Sequence, residues 1–454
     1  MVELFTNMSK YIFILLIGFY TYCSFIVLIG GREKKHSAAY HLQNLTMYTI
    51  HFIAYCIIFA NTKTIEIVVL YIAQVVYFWV TKAIFNICYG KKFSRPLLNN
   101  MCMLLCISFI ILTRLSYDKA LKQFIIVCAV TLICFFVPIL FKVLKNLPYM
   151  TWVYCIAGII MLGVVLVMGR ITYGAKISIN IGFFAFQPSE FVKILYVLFI
   201  AAFMSKSSSM KRIIISGIFA GLHVIILVFS SDLGSAFIFF VVYVVMIYVA
   251  TGQARWLAAG AGGGTIASLV AYKLFSHVRI RVLAFRDPWS VIDNEGYQVA
   301  QSLFAIGTGS FIGMGMYKGL PESIPVVTQD FIFSAIAEEF GGFFAMALIL
   351  ICLSTFLTFL KISMQHTVMF YKLTALGLGV TYAVQTFLTV GGAIKFIPST
   401  GVTLPLVSYG GSSVLCTLLT FAIMQGISIS VPLESGKTEE VNSQHEDDEY
   451  ESED

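Results

Sequence analysis

From Tyr11 to Ile29 the chain carries no charged side chain, and comparable apolar runs follow at Phe124–Phe141, Val153–Met168, Ile213–Phe229, Ala236–Ala250 and Phe343–Leu360. Such runs approach or reach the roughly 20 apolar residues that cross a ~30 Å hydrocarbon layer. Inside lipid every backbone N–H and C=O must be paired within its own segment, which leaves helices or a closed barrel. Runs this long are not barrel strands. The expected fold is therefore an all-α polytopic membrane protein, and a chain that is 59% hydrophobic and 12% charged, with a mean hydropathy of +0.89, fits no soluble core.

Splitting the runs at their polar interruptions gives about thirteen helices, near 11–30, 47–61, 65–88, 101–115, 124–144, 150–168, 189–205, 213–230, 234–251, 255–272, 331–360, 369–391 and 412–432. If the N-terminus lies outside, alternate short loops lie inside and carry Arg32/Lys34/Lys35, Lys91/Lys92/Arg95, Lys142/Lys145, Lys206/Lys211/Arg212, Arg255 and Lys361/Lys372, as the positive-inside rule requires. The net charge of +7 is thus a topology signal and not an argument for nucleic acid. Three polar regions fall outside: about 169–188, 273–330 and 392–411. The first run lacks a basic segment before it and is followed at once by a basic cluster, so it reads as a retained helix and not a cleaved signal. The acidic stretch at 433–454 has too few apolar residues to order itself and is expected to be a disordered cytoplasmic tail.

The ten cysteines form no C-x-x-C pair and the seven histidines no H-x-x-x-H pair, which argues against zinc or dithiol chemistry. Gly260 and Gly264 have the small-xxx-small spacing of close helix packing.

Ionisable groups inside or capping apolar helices are costly and usually face a cavity or a partner, so they mark where chemistry could sit. Four clusters qualify, all on the outer side. In Gln187-Pro188-Ser189-Glu190-Phe191-Val192-Lys193, Pro188 starts a helix, and Glu190 and Lys193 share a face; a capped end with a local ion pair explains the same spacing. The 273–330 loop carries Arg279, Arg281, Arg286, Lys318, Trp289, Tyr297, Gln298, Gln301 and the glycine-rich stretch Gly307–Gly315. Cations beside glycine-exposed amides suit an anionic phosphate, although the glycine pattern lacks a preceding strand and the Walker lysine. Asp330 stands at the mouth of an apolar helix, where it is either an N-terminal cap or a general base. Glu338 and Glu339 lie two turns deeper and off its face. Finally, Pro398, Thr400, Gly401, Pro405, Ser408, Gly410, Gly411, Ser412 and Ser413 break the helix at membrane depth, which is tolerated only in a protein-lined place; a sugar or pyrophosphate site and a re-entrant structural turn are both consistent with it.

At these clusters the sequence resembles the SEDS family of shape, elongation, division and sporulation proteins. QPSEFVK at Gln187–Lys193, GYQVAQSLFAIGTG at Gly296–Gly309, DFIFSAIAEEFG at Asp330–Gly341 and PSTGVTLPLVSYGGSS at Pro398–Ser413 look like its hallmark motifs in order, with weaker matches at Ser231–Ala236 and Ile111–Gln123. The resemblance covers roughly residues 98–432, the family's ten-helix core, and leaves three extra helices at 1–97. Where the family often shows an Arg-Trp pair and a Glu-Ala-His-Thr run, this chain reads Gly174-Ala-Lys-Ile-Ser178-Ile and Pro325-Val-Val-Thr-Gln329-Asp330.

The resemblance implies a peptidoglycan glycosyltransferase of the bacterial cytoplasmic membrane that polymerises lipid II, the undecaprenyl-pyrophosphate-linked disaccharide pentapeptide. It places Asp330 on the essential aspartate and Glu190 and Lys193 on a membrane-cavity pair. Gln187, Ser189, Arg286, Tyr297, Gln298, Gln301, Lys318, Thr400, Gly401, Ser408, Ser412 and Ser413 are the further candidates for substrate contact, with Pro188, Pro398, Pro405, Gly410 and Gly411 as structural residues. No cofactor is required, a divalent cation such as Mn²⁺ or Mg²⁺ being the candidate companion of the pyrophosphate. The implied partners are a class B penicillin-binding protein and other elongation, division or sporulation proteins. A lipid II flippase and an idle division scaffold are the competing readings.

Overall fold

The structure, a computed structural model, describes residues 2–29, 33–90, 92–144, 146–172, 175–181, 184–293 and 295–430. Three N-terminal helices, α1 (Val2–Ile29), α2 (Glu33–Thr62) and α3 (Ile65–Tyr89), precede α4 (Arg95–Leu115), α5 (Tyr117–Cys134) with its short continuation α6 (Val137–Val143), and α7 (Thr151–Met168). Then come three short strands, β1 (Arg170–Thr172), β2 (Ala175–Ile181) and β3 (Phe184–Phe186), followed by α8 (Pro188–Met204), α9 (Met210–Phe229), α10 (Leu233–Thr251) and α11 (Arg255–Leu274). A long connection holds α12 (Ser276–Arg286) and α13 (Glu295–Gly309). The chain ends its described part with α14 (Ile332–Phe340), α15 (Gly342–Gln365), α16 (Met369–Ala393) and α17 (Gly411–Ser430).

Among the described residues eleven helices are long and apolar enough to cross a membrane. Two more are needed to keep the chain's reversals consistent: α8, which has 17 residues, and α11, whose glycines lower its hydropathy over 20 residues. With thirteen crossings, the N-terminus of α1, the ends of α4, α7 and α9, the long connection and the 394–410 segment all gather at one face. The expected membrane all-α fold holds, with one addition: the loop after α7 is a small antiparallel sheet in the order β1-β2-β3, Ile171 opposite Lys176 and Asn180 opposite Ala185. The acidic tail lies outside the described residues.

Where lipid supplies the solvent, burial identifies the helices that protein surrounds. Nearly the whole of α4 is buried from Leu97 to Thr113, and α8, α16 and α17 are close behind. No residue of α11 is buried. Its glycines serve its one long contact, with α10: a Cβ on Gly260 would come within 2.5 Å of Val244 Cγ1, and one on Gly264 within 2.9 Å of Phe240 Cε1.

The single helix expected over 331–360 is two. Gly341 breaks it with φ +93°, and a Cβ there would lie 2.4 Å from the amide nitrogen of Gly313. The break lets the glycine-rich stretch pair with both halves by backbone bonds: Met314 N to Glu338 O (2.9 Å), Gly315 N to Glu339 O (2.9 Å), Gly342 N to Ser310 O (2.8 Å) and Phe343 N to Phe311 O (3.1 Å). All nine residues of α14 are buried, so it is a half-helix enclosed by protein and not a crossing.

Candidate active site

The 394–410 segment organises the site. Its start rests on α10, where a Cβ on Gly234 would meet Val402 Cγ2 at 2.5 Å and the Thr400 carbonyl at 3.0 Å. Its end is strapped to the chain just before Asp330. Tyr409 N donates to Thr328 O (2.7 Å), Ser408 Oγ donates to Gln329 O (2.5 Å), and Leu404 N donates back to Ser408 Oγ (2.9 Å). Gln123 of α5 completes the strap, donating to the Ser408 carbonyl and accepting from Gly410 N, both at 3.1 Å. Ser408, expected as a substrate contact, is therefore a buried strut, its hydroxyl satisfied twice by backbone.

Between these anchors Gly401 is exposed at φ +73°. A Cβ on it would lie 3.5 Å from Arg281 Nη2 and 3.7 Å from Asp330 Oδ2, so the guanidinium and the carboxylate both reach the same bare patch of backbone. Burial pushes the Asp330 carboxyl up to about 6, against the downward pull of the Arg281 charge. A carboxylate with that affinity for a proton is suited to take one near neutral pH, which its ordinary value would not favour.

Two residues further along, and thus at most about 7 Å away between Cα atoms, Thr403 leads into a second polar group. The Thr403 carbonyl accepts from Gln385 Nε2 (3.0 Å) and its hydroxyl donates to Ser413 Oγ (2.8 Å). Gln385 Oε1 accepts from Lys193 Nζ (2.7 Å), which also pairs with Glu190 (2.9 Å). Glu190 and Lys193 are both buried, and a small cleft lies beside them, walled by Thr381, Tyr382, Pro405 and Thr417. Near the mouth, Gln187 N donates to Ser412 Oγ (2.9 Å), its amide to Ser189 Oγ (3.2 Å), and Ser189 to the Asp232 carboxylate (3.0 Å), which caps α10.

The structure thus brings Gln187, Ser189, Glu190, Lys193, Ser412 and Ser413 into one bonded group, and Asp330 with Gly401 into another. Pro188 occupies the first turn of α8, Pro398 and Pro405 fall in the irregular segment, and Gly410 and Gly411 lead into α17. Thr400 Oγ1 is buried and unpartnered beside Gly401. Arg286 is exposed at the end of α12, Tyr297 and Gln298 lie on the first turns of α13, and Gln301 accepts weakly from Ser323 (3.4 Å).

Two expectations are corrected. Lys318 is engaged elsewhere, donating to Asn7 (2.8 Å) and Glu3 (3.2 Å) of α1. The Gly307–Gly315 stretch offers little to a phosphate, because Gly313 N bonds Gly309 O (2.7 Å) and the next two amides pair with α14. Its glycines are there for backbone approach: a Cβ on Gly309 would lie 2.1 Å from the Ala337 carbonyl.

Arg281 was one of several loop cations with nothing in the sequence to single it out. Gln385 and Asp232 sit in plain apolar or turn contexts, and only their polarity at a helix interior or helix start signals them. Arg114, at the end of α4, donates to Glu339 (2.9 Å) and Glu322 (2.6 Å) and covers the Tyr317 ring at 4.2 Å. Lys119 donates to Thr328 (3.0 Å), two residues before Asp330.

Fold and site together define a multi-pass membrane protein with a polar, carboxylate-bearing mouth at one membrane face. The family model for FtsW, RodA and SpoVE, described as cell cycle protein, matches residues 95–432, from α4 to the end of α17, and the chain belongs to that family. Over 279 residues it is 36% identical to the peptidoglycan glycosyltransferase RodA of Mycobacterium tuberculosis, covering 56% of this chain and 58% of that one. The chain therefore spans less than two thirds of the length of such curated relatives. It is 33% identical over 283 residues to the probable peptidoglycan glycosyltransferase FtsW of Tolumonas auensis, covering 60% of this chain and 73% of that one. Among solved structures, a chain from a peptidoglycan synthase complex that coordinates polymerization and crosslinking superposes with a TM-score of 0.64 at 22% identity, covering 75% of this chain and 99% of that one. The rod shape determining protein RodA of Thermus thermophilus superposes with a TM-score of 0.56 at 20% identity, covering 75% and 98%. At those identities the likeness speaks to fold alone.

Proposed function

We propose that this protein is a peptidoglycan glycosyltransferase that polymerises lipid II at the external face of the bacterial cytoplasmic membrane. The observation that carries the reading is the Asp330 carboxylate, raised to about 6 and set together with Arg281 beside the exposed Gly401 backbone. Asp330 takes the proton from the acceptor sugar's 4-hydroxyl as that oxygen attacks the anomeric carbon of the donor. The bond to undecaprenyl pyrophosphate breaks with inversion, and the electron pair leaves on the phosphate. Arg281 stands where it can offset the charge that develops, and Lys193, fixed by Gln385, offers a second cation at the cleft. Among the described residues no three His, Cys, Asp or Glu side chains converge, so a divalent cation would need most of its ligands from the pyrophosphate. Basic residues in the loops of the opposite face support the external placement of this mouth. A class B penicillin-binding protein is the proposed partner, in keeping with the family and with the synthase complex that shares the fold.

The test is polymerisation of labelled lipid II by the purified full chain with Asp330→Asn. A general base of this kind contributes about 100-fold or more, so chain growth should fall by at least that factor while lipid II still binds. Undiminished growth would end the enzymatic reading. Translocation in vesicles that survives the substitution, with no polymer formed by the unaltered chain, would favour a flippase; unaltered wall synthesis in cells would favour a scaffold.

A further inference from the structure

We propose that α1, held in place by α2 and lying outside the family match, braces the loop that carries Asp330, with Lys10 and Lys318 as the positioning residues. Glu3, Asn7 and Lys10 follow one another at four and three residues on α1 and so form one stripe along its first turns. That stripe meets the outer loop. Lys10 Nζ donates to the Gly313 carbonyl (3.3 Å), and Lys318 reaches down to Asn7 (2.8 Å) and Glu3 (3.2 Å). The Thr6 Cγ2 lies 3.5 Å from where a Cβ on Gly315 would sit.

The loop needs such support. Between residues 310 and 326 five positions hold positive φ, Ser310, Gly313, Gly315, Tyr317 and Val326, and three of them are not glycine. Backbone of this kind persists only where its surroundings over-determine it. On the far side Arg114 supplies the opposing hold, gripping Glu322 of the loop and Glu339 of α14 together. The stretch from Gly313 to Glu322 is therefore clamped between α1 and α4, and it runs directly into Asp330.

A brace must itself be fixed, and α1 is. Phe13 packs edge-on to Phe340 of α14, with ring centres 5.2 Å apart. Deeper, Tyr20 and Ser24 both donate to Asn100 of α4 (3.2 and 3.4 Å), whose amide continues to Ser354 of α15 (3.3 Å). Gln43 of α2 links Ser24 (2.9 Å) to Asn99 (2.9 Å). Interhelical hydrogen bonds between buried polar side chains hold helices together in lipid, and this set is buried. The N-terminal unit is thus bonded to the core below and to the loop above.

The rate arm of the test rests on the polymerase reading; the structural arm does not. A nitroxide on Leu320→Cys, a position with its side chain exposed, reports loop mobility in the full-length chain, with the exposed Cys88 replaced in Cys88→Ser. The Lys10→Ala, Lys318→Ala double variant should sharpen that spectrum and lower kcat about tenfold with KM for lipid II within about twofold, since misplacing a reacting group costs turnover more than binding. Lys318→Glu should act likewise, and pairing it with Glu3→Lys should restore both signals. An unchanged spectrum in the double variant overturns the brace. A mobile loop with undiminished kcat overturns its role in positioning Asp330. If Asp330→Asn leaves polymerisation intact, the polymerase reading fails, and the spectrum still decides whether the brace exists.

Discussion

Two stretches of this chain look alike on the page, Gly307–Gly315 and Pro398–Ser413, both rich in glycine and both interrupting apolar helices. In three dimensions they are opposites. The first spends its backbone on protein, Met314 and Gly315 pairing with α14 and Gly309 lying against the Ala337 carbonyl. The second is tied down just beyond Gly401, by Thr403 and Ser408, and leaves Gly401 bare beside a carboxylate and a guanidinium. Glycine density signals close approach of backbone to something. Whether that something is the protein itself or a ligand depends on where the neighbouring amides go.

That contrast can be broken by substitution. Gly313→Ala should be the most damaging: its Cβ would lie 2.5 Å from the Glu339 carbonyl at φ +85°, and backbone on both sides cannot give way. Strain at such a position costs about 1–3 kcal/mol before the overlap is counted, so the yield of folded protein in detergent should collapse. Recovery of a normal yield would show that this stretch is not the packing device described. Gly401→Ala should do the reverse. Its Cβ finds only ordinary contacts, and the left-handed φ costs about 1–2 kcal/mol, so the protein should fold with a modestly lowered Tm while polymerisation drops about tenfold as substrate meets a methyl group.

Arg281→Ala sharpens the same site through pH. A base must be deprotonated to act, so kcat/KM of the unaltered chain should fall as pH drops through about 6. Because the Arg281 charge lowers the Asp330 value, its loss should move that acid limb upward, read from initial rates across a buffer series. An acid limb that stays put would sever Arg281 from Asp330. The smallest effect on rate belongs to Ser408→Ala, which removes both the donor to Gln329 O and the acceptor of Leu404 N and should cost about 1–3 kcal/mol, seen as a fall in Tm with little change in rate. A large loss of rate without loss of Tm would return Ser408 to the substrate.

Much of the architecture was legible because hydropathy is a one-dimensional signal: each crossing announces itself by its own run, and the basic loops order them. The break at Gly341 was not, since Glu338, Glu339 and two glycines are a brief interruption in an otherwise apolar run, and only the Gly313 backbone lying across it makes the break necessary. In the sheet after α7, β2 does alternate apolar and polar residues over Ala175–Ile181, but its partners β1 and β3 have three residues each, too short to mark a sheet. At the site, Asp330, Glu190 and Lys193 stood out as charges in apolar surroundings. Arg281, Gln385 and Arg114 acquire their roles from partners far away in the chain, and Lys318, equally basic and nearer to Asp330 in sequence than Arg281 is, is diverted to α1.

The pairing of Arg114 with Glu339 spans 225 residues. A chain threaded into the membrane from its N-terminus places Arg114 at the surface long before its carboxylate partner has been made. The guanidinium must wait in water while six further crossings and the whole outer loop are laid down. The mouth therefore closes late in biogenesis, and a truncated product ending before α14 holds an inserted bundle with no means of building it.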